Sequence, residues 1–100
     1  MKVTLQYFDG CPNWKETDAH LKNLRAEGFD LDVDHQLIDT PELAEVHRFR
    51  GSPTVLIDGV DPFAEPVAPI GLSCRVYETS SGLAGSPSLD SLRSVLQEAS

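Results

Sequence analysis

Cysteine is scarce in this chain: there are two in 100 residues. Two cannot build a disulfide scaffold, and nothing in their spacing suggests a zinc site. Positive charge is scarce as well. Eight Lys and Arg stand against sixteen Asp and Glu, a net charge of −8. Binding a phosphate backbone needs clustered Lys and Arg, so no nucleic acid is expected as partner. The same charge argues against docking on an anionic membrane surface. Long apolar runs are missing too. The longest aliphatic stretch, Val55-Leu56-Ile57, falls far short of the roughly 20 residues of a membrane helix. The residues after Lys2, from Val3 to Phe8, alternate polar and apolar side chains. A signal peptide needs a continuous apolar run instead. The expectation is one soluble, cytoplasmic domain with reduced thiols. A cleaved leader outside this sequence and a disulfide formed during turnover both stay open.

A chain of 100 residues can bury a core without metal or disulfide staples. Val3–Phe8 reads as a strand, rich in β-branched and aromatic residues. Asp9-Gly10 turns the chain, and Cys11-Pro12 opens a helix over about 12–27. Trp14, Thr17, Leu21, Leu24 and Gly28 share one face of that helix, and Gly28 suits its C-terminal stop. Residues 29–37 alternate with period two, Phe29, Leu31 and Val33 against Asp30, Asp32 and Asp34. Three aspartates on one face suit an edge strand, where charge discourages pairing with another chain. Thr40-Pro41-Glu42 starts a short helix running to about 48 and stopping at Gly51. Thr54–Ile57 is nearly all apolar, as in a central strand covered on both faces. Residues 60–72, with Pro62, Pro66, Pro69 and Gly71, form a loop, and a loop of about 13 residues is long enough to suggest function. Ser73–Tyr77 can form a last strand, and Gly82, Gly85 and Pro87 mark another loop. Ser86 or Ser88 caps a final helix with Leu89, Leu92, Val95, Leu96 and Ala99 on one face. The expected fold is α/β in the order β-α-β-α-β-β-α. Its first two strands are parallel through a right-handed crossover, and its last two are antiparallel. Together they make a four-stranded mixed sheet with helices on both faces.

Cys11 stands where a strand gives way to a helix. The free N–H groups and dipole of a helix start stabilise an anion, so a thiolate there becomes usable near neutral pH. Lys15 adds to this, while Asp9, Glu16 and Asp18 oppose it. A buried structural cysteine is the plainer reading. Pro53 precedes an apolar strand, and on the residues alone a trans turn proline is the commoner form.

A strand followed by Cys11-Pro12-Asn13-Trp14 at a helix start, and then Ser52-Pro53-Thr54-Val55-Leu56-Ile57-Asp58-Gly59, resembles the thioredoxin-like superfamily. The closer likeness is to its glutaredoxin-type branch, with a Cys-Pro-x-Cys site and a proline before a strand that ends in Ile-Asp-Gly. The whole chain is similar to short bacterial thioredoxin-family proteins, some of them labelled alkylmercury lyase. Those carry the Phe8–Trp14 start and the Gly71-Leu72-Ser73-Cys74-Arg75-Val76-Tyr77 segment. The likeness covers nearly the whole chain and speaks to fold rather than activity.

The resemblance implies that Cys11 is the nucleophile and that Pro53, after a cis bond, faces it. It also implies that Ser52 offers backbone groups to an extended thiol substrate, beside Pro12. Trp14 occupies the place of the second cysteine, so no Cys-x-x-Cys relay exists. Two mechanisms stay open. In one, Cys11 acts as a monothiol and an external thiol, such as a low-molecular-weight thiol co-substrate, resolves its mixed disulfide. In the other, Cys74 is the resolving cysteine, which needs its Cα within roughly 7 Å of Cys11. The expected strand direction brings Tyr77 toward the site and leaves Cys74 distant, with core packing as its other role.

Arg48, Arg50 and Arg75 can bind an anionic substrate beside Cys11, or they are surface arginines. His20, His35 and His47 show no ligand spacing, so no metal site is expected. The stretch 27–45 holds seven acids and no Lys or Arg, a solvated edge or a docking face for a basic partner. Tyr7, Phe8, Trp14 and Phe63 are core or site wall, and Trp14 can cover an apolar pocket beside Cys11. Three functions compete: a thiol-disulfide oxidoreductase or thiol transferase, a non-catalytic binder of a thiol-reactive ligand or soft metal, and an interaction domain with a degenerate site. Oligomeric state is not written in these residues.

Overall fold

A computed structural model describes residues 1–64 and 69–99. Its elements are β1 (Lys2–Tyr7), α1 (Trp14–Ala26), β2 (Asp32–Leu37), α2 (Pro41–His47), β3 (Thr54–Ile57), β4 (Tyr77–Thr79), β5 (Gly82–Ala84) and α3 (Leu89–Ala99). Pro66, assigned above to the long loop, lies outside the described residues.

β1 lies at the centre of a three-stranded mixed sheet of order β2-β1-β3. It runs parallel to β2, with Val3 beside Val33 and Tyr7 beside Leu37. It runs antiparallel to β3, with Val3 beside Ile57 and Gln6 beside Thr54. Period-two alternation sends Val3 and Leu5 to one face. There, with Val55 and Ile57, they meet Leu21 and Leu24 of α1 and Leu92 and Leu96 of α3. Each fully buried Leu or Val contributes roughly 1.5–3 kcal/mol, so this cluster is the main adhesive of the fold. A smaller cluster of Ile38, Ala44 and Phe49 anchors α2.

Helix ends follow local chemistry. Thr40 Oγ1 accepts the Leu43 N–H at 3.1 Å and so caps α2. That helix stops at Arg48, which takes the left-handed conformation, and not at Gly51. Gly28, at φ 111°, follows α1 and donates its N–H to the Arg25 carbonyl. Pro12 and Asn13 form a turn ahead of α1, so the helix starts two residues later than its proline suggested. Ser88, and not Ser86, caps α3 by accepting the Ser91 N–H at 3.1 Å.

The expected four-stranded sheet is not formed among the described residues. Residues 73–75 meet the chain at Ser52, through an isolated parallel bridge with Cys74. The bridge extends no further, so Thr54–Ile57, expected as a central strand, is an edge strand, and among the described residues β4 pairs with β5 alone, antiparallel, around Ser80-Ser81. α1 and α3 share one face of the sheet. The end of α2 only borders the other face, where His47, Arg48 and Arg50 line a cavity of about 320 Å³ with Gln6, Thr54 and Leu56. No helix among the described residues is long and apolar enough to cross a membrane.

Candidate functional site

The end of β1 delivers the chain to a tight turn in which the Cys11 N–H bonds the Phe8 carbonyl at 3.2 Å. Cys11 is fully buried there. Asn13, the residue just before α1, makes no side-chain cap bond to the helix. Its amide instead donates to Cys11 Sγ at 3.6 Å. Gly85 makes room for this, because a Cβ at that position would overlap the Asn13 amide.

Facing Cys11 is Gly51-Ser52-Pro53, with a cis bond between Ser52 and Pro53. Ser52 is fully buried and all of its polar groups are engaged. Its Oγ accepts the Phe8 N–H at 3.4 Å, its N–H donates to the Ser73 carbonyl at 2.8 Å, and its carbonyl accepts the Arg75 N–H at 2.9 Å. The backbone groups that the resemblance leaves to an extended substrate are thus held by the chain's own segment 73–75.

That segment brings Cys74 to Cys11, and the two form a disulfide with a Cα separation of 5.7 Å. The expectation of a distant or core-packed Cys74 is corrected: Cys74 is exposed and bonded. An antiparallel hairpin would keep Cys74 distant, whereas the observed bridge to Ser52 is parallel and places residue 74, not 77, level with the site.

Two features fix the segment. Gly51, at φ 129°, allows the close approach, since a Cβ there would lie 3.0 Å from Arg75 Cβ and 3.2 Å from its backbone N. The Arg75 guanidinium turns inward to Asp61 (2.7 Å), to Thr54 Oγ1 (3.3 Å) and to the Phe63 carbonyl. It also packs over the Tyr77 ring, 4.8 Å from its centroid. Arg75 is therefore a fastener rather than an open anion receptor.

The remaining candidates are spread around this centre. Trp14 is half-buried and stacks on Tyr7, with centroids 4.4 Å apart and His35 edge-on at 6.1 Å. Pro12 is exposed on the turn. Arg48 and Arg50 line the cavity on the opposite sheet face, which neither cysteine lines. Among the described residues no group of three or more His, Cys, Asp and Glu is arranged to hold a metal ion. The acidic stretch is partly neutralised: Asp34 pairs with Lys2 at 2.7 Å and Glu27 with Arg93 at 2.7 Å. Asp18, named as opposing charge near Cys11, is engaged by His35 at 2.8 Å and Lys22 at 3.3 Å.

Sequence reasoning passed over Asn13, Gly85, Asp61 and the role of Arg75. The only available signals were a polar residue within the Cys-Pro turn and a lone Arg beside Cys74. No family model, no curated protein and no solved structure matches the chain.

Proposed function

We propose that the chain is a thioredoxin-like thiol-disulfide oxidoreductase whose working pair is Cys11 and Cys74. The observation that carries this reading is the disulfide between a cysteine at a strand-to-helix turn and a cysteine docked beside Ser52-Pro53. A cysteine before a helix start is poised to leave or attack as a thiolate. A second cysteine within reach replaces the missing Cys-x-x-Cys partner, so the remote-resolver mechanism is favoured over the monothiol one. Substrates are thiols or disulfides on a small molecule or a protein. A low-molecular-weight thiol serves as co-substrate, and no resident cofactor is required.

Thiol counting by alkylation and mass spectrometry tests this directly. Native protein equilibrated in glutathione redox buffers should pass between zero and two free thiols in one two-electron step. Cys11→Ser and Cys74→Ser should each abolish the step, together with turnover of a model disulfide. Two thiols that stay free under oxidising buffer, or turnover unchanged in Cys11→Ser, would overturn the reading.

A binding module is the second reading, favoured by the same proximity: once reduced, two neighbouring thiolates can hold a soft metal ion. Native mass spectrometry of the reduced chain with Cu(I), showing one ion lost in either cysteine variant while disulfide turnover is absent, would select it.

A further inference from the structure

The two sulfurs of the bridge are not equivalent. Cys11 is fully buried, whereas Cys74 is exposed between exposed Leu72 and Val76. A thiolate must reach the sulfur it attacks, from the side opposite the sulfur that leaves. Only Cys74 lies at the surface, so an incoming thiolate meets Cys74 first and Cys11 is the group expelled. A leaving thiolate departs faster when its charge is stabilised. The surroundings of Cys11 supply one donor for that, the Asn13 amide 3.6 Å from its Sγ with the start of α1 just beyond, set against its burial and the Ser52 carbonyl oxygen, also 3.6 Å away. Among the described residues no comparable donor faces Cys74, whose neighbour Arg75 is committed to Asp61 and whose exposed thiolate has water alone to stabilise it.

We propose that Cys74 is the entry sulfur of the redox pair and Cys11 the buried resolving sulfur, with Asn13 positioned to stabilise Cys11 as it is released. This rests on the redox reading above and inverts the roles that the resemblance implies. In the reductive direction a thiolate attacks Cys74 Sγ. The Cys11–Cys74 bond breaks, a mixed disulfide forms on Cys74, and Cys11 leaves as a thiolate. A second thiolate then attacks the partner's sulfur in that mixed disulfide. This releases the partner disulfide and a Cys74 thiolate. Two thiols of the partner are oxidised, the bridge is reduced, and the two protons end on Cys11 and Cys74. In the oxidative direction the Cys74 thiolate attacks a substrate disulfide, whose S–S bond breaks to leave a mixed disulfide on Cys74 and a first substrate thiolate. The Cys11 thiolate then closes the bridge and expels the second substrate thiolate.

The test uses the unaltered oxidised chain with limiting cysteamine, quenched in acid, alkylated and mapped by peptide mass spectrometry. Cysteamine should sit on Cys74 and the alkyl label on Cys11, with the reverse pattern at least about tenfold rarer. Cysteamine mainly on Cys11, or equally on both, overturns the proposal and leaves the redox reading standing. No exchange at either cysteine overturns both. Asn13 is tested as a positioning residue through the pH profile of Cys11 thiolate ultraviolet absorbance in the Cys74→Ser chain, which needs no reagent to reach the buried sulfur. Asn13→Ala should move the midpoint of this profile upward and, with Cys74 kept, slow bridge opening by about tenfold. Gly85→Ala, which displaces the same amide while keeping Asn13, should move it in the same direction. An unmoved midpoint in both variants would remove Asn13 from the proposal.

Discussion

The Thr17 hydroxyl lies 2.7 Å from that of Ser86, and both residues are buried. The pair ties α1 to the chain just ahead of α3. Thr17→Val keeps the shape and removes the bond, while Ser86 Oγ retains the Pro87 carbonyl at 3.0 Å. One buried hydroxyl pair lost with partial compensation should lower unfolding free energy by about 1 kcal/mol, read in urea denaturation. Asp18 tests the electrostatics of the same helix. Desolvation opposes its ionisation, but hydrogen bonds from His35 and Lys22 outweigh that and hold its carboxyl below its ordinary value. A folded pKa below the unfolded one, about 3.9, gives stability that is present above the unfolded value. That stability is lost as pH falls through the folded one. Solvent screens this partly exposed group, so Asp18→Asn should cost only about 0.5 kcal/mol near neutral pH. The cost should shrink toward zero as denaturation is repeated at progressively more acid pH. A cost that persists in acid would mean that packing, not charge, is what the substitution removes.

Among the elements, the docked segment 73–75 is the one most exposed to a single change. Gly51 combines a positive φ of 129° with a close approach of Arg75. Gly51→Ala strains the backbone and pushes the segment off Ser52, and should destabilise by more than about 1 kcal/mol. Amide hydrogen exchange should show Ser52 and Arg75 losing protection while the β1 amides keep theirs. β1, α1, β2, α2, β3 and α3 are legible in the residues because each has a strong period or cap, such as Thr40-Pro41 and the Leu89, Leu92, Leu96 stripe; the alternation at 29–37 signals β2 but starts it three residues early, since the paired strand is Asp32–Leu37. The parallel pairing of β1 with β2 followed from the crossover helix, and the edge position of β2 from its aspartates. The β4–β5 hairpin was not legible, because Tyr77–Ala84 is short, polar and rich in Ser, with no apolar alternation. The partner of residues 73–75 was not legible either. A single parallel bridge beside a proline depends on where the long loop returns the chain, and no local pattern encodes that return. For the same reason the sequence could nominate Cys11 from its own neighbourhood but could not place Cys74, whose position is set by Gly51, Ser52 and Asp61.

At the scale of the molecule, the Cys11–Cys74 bridge spans a separation of 63 residues in a chain of 100. It ties the strand-to-helix turn at Cys11 to a segment otherwise fastened by Ser52 and by Arg75 with Asp61. Cross-linking across so long a loop removes much freedom from the unfolded chain, about 4 kcal/mol by the loop-entropy relation, an upper bound where the unfolded state keeps structure. A charge of −8 favours expansion of that unfolded state and so works with the bridge, by penalising compact arrangements once it is opened. Urea denaturation with and without reductant should therefore differ by up to about 4 kcal/mol. The two cysteines should separate in variants. Cys74 is exposed, so Cys74→Ala should match the reduced wild-type chain. Cys11 fills buried space, so Cys11→Ala should lose the bridge and also leave a small cavity, costing roughly 1 kcal/mol more. Equal costs for the two variants would show that the Cys11 side chain contributes no packing. Its burial would then serve only to keep one sulfur out of reach while the other meets the partner.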